Sequence, residues 1–169
     1  MRDGSVVDIP VLVVNGAKEG PFFSAVCSNP VAATGAMSII NCFKMLDPKE
    51  MCGAFVGIPT AIPTAFQHGW RYNILDLQRI RYPGHPKGTL TERMSYAIFK
   101  QVYEPADVYT SWVSNFSPNI PFCEVKTTSD EKVNILADKI AKSTGMTNLN
   151  SPGVIELPSE PQSLPPKAR

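Results

Sequence analysis

The stretch Cys52-Gly53-Ala54-Phe55-Val56-Gly57-Ile58-Pro59 is almost unbroken in its apolar character. A strand with one face in water alternates apolar and polar side chains. This run does not alternate, so it reads as a strand buried on both faces, the central position of a parallel α/β sheet. Such a strand needs a layer on each side, and the flanking sequence supplies candidates. Thr34 to Leu46 carries apolar residues at 36, 39, 40, 43 and 46, a helical spacing, and Asp47-Pro48 ends it because the residue before proline avoids the α region. Thr89-Leu90-Thr91-Glu92 is a capping box, with Thr89 as N-cap and Glu92 reaching back. Behind it Met94, Ala97, Ile98 and Val102 share one helical face, and Pro105 closes the helix.

The remaining elements fill out the pattern. Val6 to Val14 and Phe22 to Cys27 are β-rich, and the turn residues Asn15-Gly16 and Glu19-Gly20-Pro21 between them predict an opening hairpin. Ala106 to Val113 is a further strand. Thr128 and Glu131 form a second capping box. The helix it opens would bury Val133, Leu136, Ala137 and Ile140 and end at Gly145 as C-cap. Residues 60–88 hold few periodic signals and several breakers, Pro63, Gly69, Pro83, Gly84, Pro86 and Gly88, and read as a long loop, either functional or inserted. The expected architecture is α/β, with a mixed, mostly parallel sheet flanked by helices. Residues 1–150 would form one α/β domain. From Ser151 onward, Pro152, Pro158, Pro161, Pro165 and Pro166 mark an extended tail.

Composition excludes several classes of function. The chain has 169 residues, 43% of them hydrophobic, enough for a real core. Sixteen basic and 15 acidic residues leave a net charge of +1 with no block of one sign, so neither nucleic acid nor an anionic membrane is an expected partner. The apolar runs Val11–Val14 and Ile58–Ile62 fall far short of the ~20 residues of a spanning helix. Met1-Arg2-Asp3-Gly4 lacks the basic-then-apolar order of a secretory leader, which favours a cytoplasmic location. Cys27, Cys42, Cys52 and Cys123 form no C-x-x-C pair and read as reduced thiols within or beside apolar runs.

Few side chains suggest chemistry on their own. His68 and His85 both lie in the breaker-rich loop, where no third metal ligand is evident. His68 with Cys27 or Cys123 could imitate a base and nucleophile. Glu92 could serve as an acid or base, although capping accounts for it. Trp70, Tyr72, Tyr82 and Trp112 could line a pocket or pack in the core.

Four stretches together resemble the succinylglutamate desuccinylase and aspartoacylase family, which shares the zinc carboxypeptidase fold. They are Ile9-Pro10-Val11-Leu12-Val13-Val14-Asn15-Gly16 with Gly20-Pro21; Leu46-Asp47-Pro48 with Gly53 to Pro59; Asp76-Leu77-Gln78-Arg79, Tyr82-Pro83-Gly84 and Gly88-Thr89-Leu90-Thr91-Glu92-Arg93; and Ala106-Asp107-Val108-Tyr109. The third is the most specific, being similar to Asp-Leu-Asn-Arg-x-Phe-Pro-Gly followed by Gly-Ser-x-x-Glu-Arg. The likeness runs from about residue 9 to residue 145, where the family's fold would be half complete.

The resemblance implies a zinc hydrolase, but the ligand positions have changed. With the register fixed on Gly35, the family's His-x-x-Glu falls at Asn29 and Ala32, and its later histidine falls at Val113. A catalytic zinc takes three protein ligands and one open position. Alanine and valine have no lone pair, and an asparagine oxygen suits harder ions. No metal or other cofactor is therefore expected. What the resemblance leaves is carboxylate binding by Arg79, Gln78 and Arg71, an arginine fork being suited to carboxylate. The expected function is a non-catalytic, deacylase-like subunit that associates with a partner chain supplying the rest of the fold or the active site, or with its own copies. Two alternatives remain: a subunit of a hydrolase acting on C–N bonds of small N-acyl or amide carboxylates, and a carboxylate-binding sensor.

Overall fold

The run at residues 52–58 is indeed the strand around which the first sheet is built. The computed structural model describes residues 6–29, 31, 33–113 and 121–151, with only the backbone of 150 and 151, so the proline-rich tail lies outside the described residues. The chain falls into two units dividing between residues 115 and 116. In the first, β1 (Leu12–Asn15), β2 (Lys18–Val26), β3 (Cys52–Ile58) and β4 (Val108–Ser111) form a sheet in the order β1-β3-β2-β4. β2 runs parallel to both β3 and β4, and only β1 is antiparallel. The sheet is mixed and mostly parallel, as the sequence implied.

Both faces of this sheet are covered. α1 (Ala33–Met45) follows β2, and its buried Ile39 packs with Val14, Ala25, Cys27 and Phe55. α3 (Leu90–Ile98) runs on into a π-helical turn, Phe99–Tyr103. Ile98, Val102 and Tyr103 pack with Val26, Ile58 and Ala61 on the opposite face. The alternation along β2, with Ala25 and Cys27 in one cluster and Val26 in the other, is the period-2 geometry of a strand between two layers. α2 (Pro63–Gln67) is a short helix inside the expected loop.

The opening hairpin is not formed. β1 and β2 lie on opposite sides of β3. Residues 6–11 precede the strand and are not part of it. The turn residues do reverse the chain, but turn chemistry does not choose the neighbour. The more apolar β3 takes both strands as partners. Gly16 N–H donates to the Gly53 carbonyl at 2.8 Å. Gly53 has φ +80, and a Cβ there would lie 2.0 Å from the Pro21 carbonyl oxygen. The β2–β3 register shifts between Lys18 and Phe22, and Pro21, which has no N–H to donate, falls within that shift.

The second unit is a βαβ segment. β5 (Phe122–Lys126) and β6 (Thr147–Ser151) pair in parallel, joined through α4 (Glu131–Ser143). Neither strand stood out in the sequence. The cap of α4 differs from the expected one. Asp130, not Thr128, is the N-cap, its carboxylate accepting from Lys132 N at 2.8 Å and Val133 N at 3.4 Å. Thr128 instead accepts from Asp130 N and meets Asn134. Asp is at least as good an N-cap as Thr, and it stands directly before the first turn. The stripe expected to be buried on α4 is also corrected. Val133 and Leu136 are exposed, Ala137 and Ile140 half-buried, and Ala141 is the helix's buried residue. Helical periodicity marks which face would seek cover, and a two-stranded sheet offers little of it. Gly145, with φ +68, follows the helix in the left-handed conformation of a C-terminal stop.

Candidate functional site

Parallel strands deliver their following loops to one edge of a sheet, the usual place for a site in an α/β fold. Asn29 follows β2 and Val113 follows β4. The two strands are paired directly, with Val26 opposite Ser111. α1 closes over the same corner, because Gly35 in its first turn has no room for a side chain. A Cβ there would lie 2.5 Å from the Trp112 carbonyl oxygen. Asn29 and Val113 thus stand at neighbouring strand ends. Ala32 lies outside the described residues.

The donor set at this corner does not fit a catalytic zinc ion. The Asn29 side-chain oxygen accepts from Val31 N at 3.4 Å. Val113 is 56% exposed and has no donor atom. Among the described residues, no three His, Cys, Asp or Glu side chains gather so as to hold a metal. His85 Nδ1 accepts from Lys87 N at 3.2 Å, a local loop contact. Burial pushes the Cys27 thiol up, away from the thiolate form a nucleophile needs. Thr60, just past β3, has a buried hydroxyl with no hydrogen-bond partner among the described residues.

A cleft of about 690 Å³ adjoins this corner. It is lined by Tyr72, Gln78, Arg79, Arg81, Tyr82 and Glu92, together with Leu77, Gly84 and Ser95. The Tyr82 hydroxyl lies 3.3 Å from Ser28 Oγ, next in sequence to Asn29, so one wall of the cleft touches the strand-end corner. Tyr82 packs edge-on to Tyr103, with centroids 4.6 Å apart, and Tyr103 packs against Tyr109. Burial pushes the Tyr82 phenol up to about 12, and burial also raises Tyr103 and Tyr109.

The cleft residues are held by a polar network that pins residues 73–84 to α3. Asp76 accepts from Thr91 N and from Thr91 Oγ1, both at 2.7 Å, and from Gln78 N at 3.3 Å. Buried Asn73 donates to Thr91 Oγ1 at 2.9 Å and accepts from Thr64 Oγ1 at 2.9 Å. The capping box at Thr89 and Glu92 forms as the sequence indicated. Gly84, at φ +76, lies so close to α3 that a Cβ would fall 2.3 Å from the Glu92 carbonyl oxygen. This part of the expected long loop is therefore a wall pinned to α3.

Two of the three carboxylate-binding candidates come together here. Arg79 stacks on the Tyr72 ring, 4.6 Å from its centroid, and donates to the Tyr72 hydroxyl at 3.1 Å. Gln78 Oε1 accepts from Thr89 Oγ1 at 3.1 Å. Arg71 is exposed and is not part of the cleft lining. Arg81 is a lining residue that motif matching passed over. Its signal was the Arg79-Ile80-Arg81 alternation, which in extended chain sends both arginines to one side. Of the four aromatics, Tyr72 and Tyr82 line the cleft, Trp112 packs against the α1 core, and Trp70 is exposed.

No family model matches the sequence, and no curated protein matches it either. The fold does match solved structures. An aspartoacylase family protein from Mesorhizobium loti superposes with a TM-score of 0.75 at 20% identity, over 85% of this chain and 48% of that one. A succinylglutamate desuccinylase/aspartoacylase from Rhodobacter sphaeroides gives 0.71 at 18% identity, over 88% and 53%. The ectoine utilization protein from Ruegeria pomeroyi, solved with product bound, gives 0.73 at 19% identity, over 90% and 50%. The chain thus has part of the aspartoacylase-family fold and spans about half the length of these proteins. Among the described residues, no helix is long and apolar enough to cross a membrane.

Proposed function

We propose that this chain is a non-catalytic, deacylase-like subunit that associates with a partner chain supplying the rest of the fold or the active site. The observation that carries this reading is the chemistry of the two neighbouring strand ends. In the related fold a zinc hydrolase would need ligands there, and this chain offers an amide at Asn29 and an isopropyl group at Val113. With no evident metal-activated water, the hydrolysis expected of the family has no agent on this chain. Association is supported by β4, which among the described residues pairs on one side only.

A second reading, a carboxylate-binding module, is favoured by the cleft, where Gln78, Arg79 and Arg81 surround one opening. It is compatible with the first, since a subunit can bind a ligand without turning it over. Light scattering coupled to size-exclusion chromatography, with metal analysis of the eluted species, tests the proposal. Association without stoichiometric zinc is the expected result. A persistent monomer would refute the subunit role. Stoichiometric zinc lost on substitution of Asn29 would restore the hydrolase reading.

A further inference from the structure

We infer that Arg81 makes this cleft selective for a doubly charged oxyanion, a group such as a phosphate or a pair of adjacent carboxylates, over a single carboxylate. The inference rests on the carboxylate-binding reading of the cleft and adds a residue and a charge state to it. Arg81 falls where this sequence has one residue more than the motif it resembles, between Arg79 and Tyr82.

The hydrogen bonds among the lining residues leave several of their donors uncommitted. Thr89 Oγ1 donates to Gln78 Oε1, which fixes the amide and leaves its NH₂ to give. The Tyr72 hydroxyl accepts from Arg79, so its own proton remains available. Arg79 spends one N–H on that contact and keeps the rest of its fork. Arg81 is exposed, lines the same cleft, and is held in no ion pair among the described residues. Glu92 is the acidic residue of the lining, and its Oε2 accepts from Thr89 N at 2.8 Å as part of the helix cap. Two guanidinium groups against one committed carboxylate leave a net positive cleft rich in N–H and O–H. Acceptor oxygens carrying more than one charge answer that arrangement best.

The position of Arg81 is also set in advance. Its backbone N–H donates to Ser95 Oγ at 3.3 Å, and Ser95 Oγ donates to the Thr91 carbonyl at 2.8 Å. Gly84 then seats the following residues on α3. The backbone carrying Arg81 therefore need not be ordered when a ligand arrives.

Isothermal titration of the full chain with inorganic phosphate, malonate and acetate at neutral pH tests the inference. The proteins are the wild type, Arg81→Ala, Arg79→Ala and Lys49→Ala, the last a control for general surface charge. Thermal unfolding of each verifies its fold, and loss of an exposed Arg81 side chain should leave that unchanged. The expected result is that Arg81→Ala weakens phosphate or malonate by about tenfold while changing acetate by less than about threefold. Arg79→Ala weakens all ligands, and Lys49→Ala none. Phosphate without malonate, or the reverse, identifies the source of the double charge. If Arg81→Ala leaves the dianions unaffected, or weakens dianions and acetate equally, the role given to Arg81 is wrong while the Arg79 cleft stands. If no anion binds, or Arg79→Ala changes nothing, the carboxylate-binding reading falls with it.

Discussion

Replacing Asp76 by alanine should cost the first unit about 3 kcal/mol, because one carboxylate holds the cleft wall to α3. The substitution deletes two hydrogen bonds of 2.7 Å from the Thr91 backbone and hydroxyl, and a longer one of 3.3 Å from Gln78 N. Short hydrogen bonds to a charged acceptor contribute about 1.5–3 kcal/mol each, and the stretched one from Gln78 N about 0.5. Asp76 is only half-buried, so water can replace part of what is lost, and the lower figures apply. Thr91, by contrast, is fully buried, and its hydroxyl keeps Asn73 as a donor while losing its acceptor. Against a typical domain stability of about 5–15 kcal/mol the change is large. Urea unfolding followed by tryptophan fluorescence reads it, since Trp112 packs against the α1 core. With a slope of about 1.5 kcal/mol per molar, the midpoint should fall by roughly 2 M. Asn73→Ala and the double variant complete a thermodynamic cycle. Both residues share the Thr91 hydroxyl, so their effects should be non-additive by about 0.5 kcal/mol or more. A loss below about 1 kcal/mol for Asp76→Ala, with strict additivity, would refute the claim that this network fixes the wall.

Three further outcomes are expected. Gly84→Ala should destabilise by at least about 2 kcal/mol, since it combines a positive φ with a Cβ 2.3 Å from the Glu92 carbonyl oxygen; a neutral result in thermal unfolding would contradict the seating of residues 81–84 on α3. Tyr82 remains neutral in the folded protein up to about pH 12 but ionises near its ordinary value when unfolded, so its contribution is complete below pH 10 and lost as pH rises toward 12. The fall is on the order of 2–3 kcal/mol, and urea titrations between pH 8 and about 11.5 should show a shallower decline for Tyr82→Phe than for wild type; equal slopes would oppose it. Thr60→Val removes a buried hydroxyl that has no partner among the described residues, so stability should hold or rise by up to about 1 kcal/mol; a loss above about 1 kcal/mol in the same assay would mean the hydroxyl is bonded in solution.

What the sequence disclosed, and what it concealed, follows the range of the interactions. The Thr89–Glu92 capping box spans three residues and was legible because both partners are local. The β3 run was legible because burial on both faces removes alternation. The order β1-β3-β2-β4 was not, because it depends on contacts between residues more than 30 apart, such as Val14 with Phe55 and Phe23 with Phe55. The α4 cap was missed because Thr128, Ser129 and Asp130 can all cap, and the choice turns on where the first helical turn begins. In the cleft, Arg79 and Gln78 were found from a motif, while Arg81 was not, since the motif has no place for it. The Asp76–Thr91 link had no sequence signal. Its two ends are joined across 15 residues by a wall whose shape is set by Asn73 and Gly84.

The π-helical turn at Phe99–Tyr103 has a counting consequence. An α-helix advances about 100° per residue, and a wider turn absorbs a surplus position without unwinding what precedes it. Deleting a single codon from this turn would restore ordinary winding and swing the next phenol away from Tyr82. β4 would then enter one position early, and a slip of one exchanges the two faces of a strand. Thr110 would fall where Tyr109 now stands, and the bond from its Oγ1 to the Ser24 carbonyl would be lost. A turn one residue shorter would thus put the edge strand out of phase.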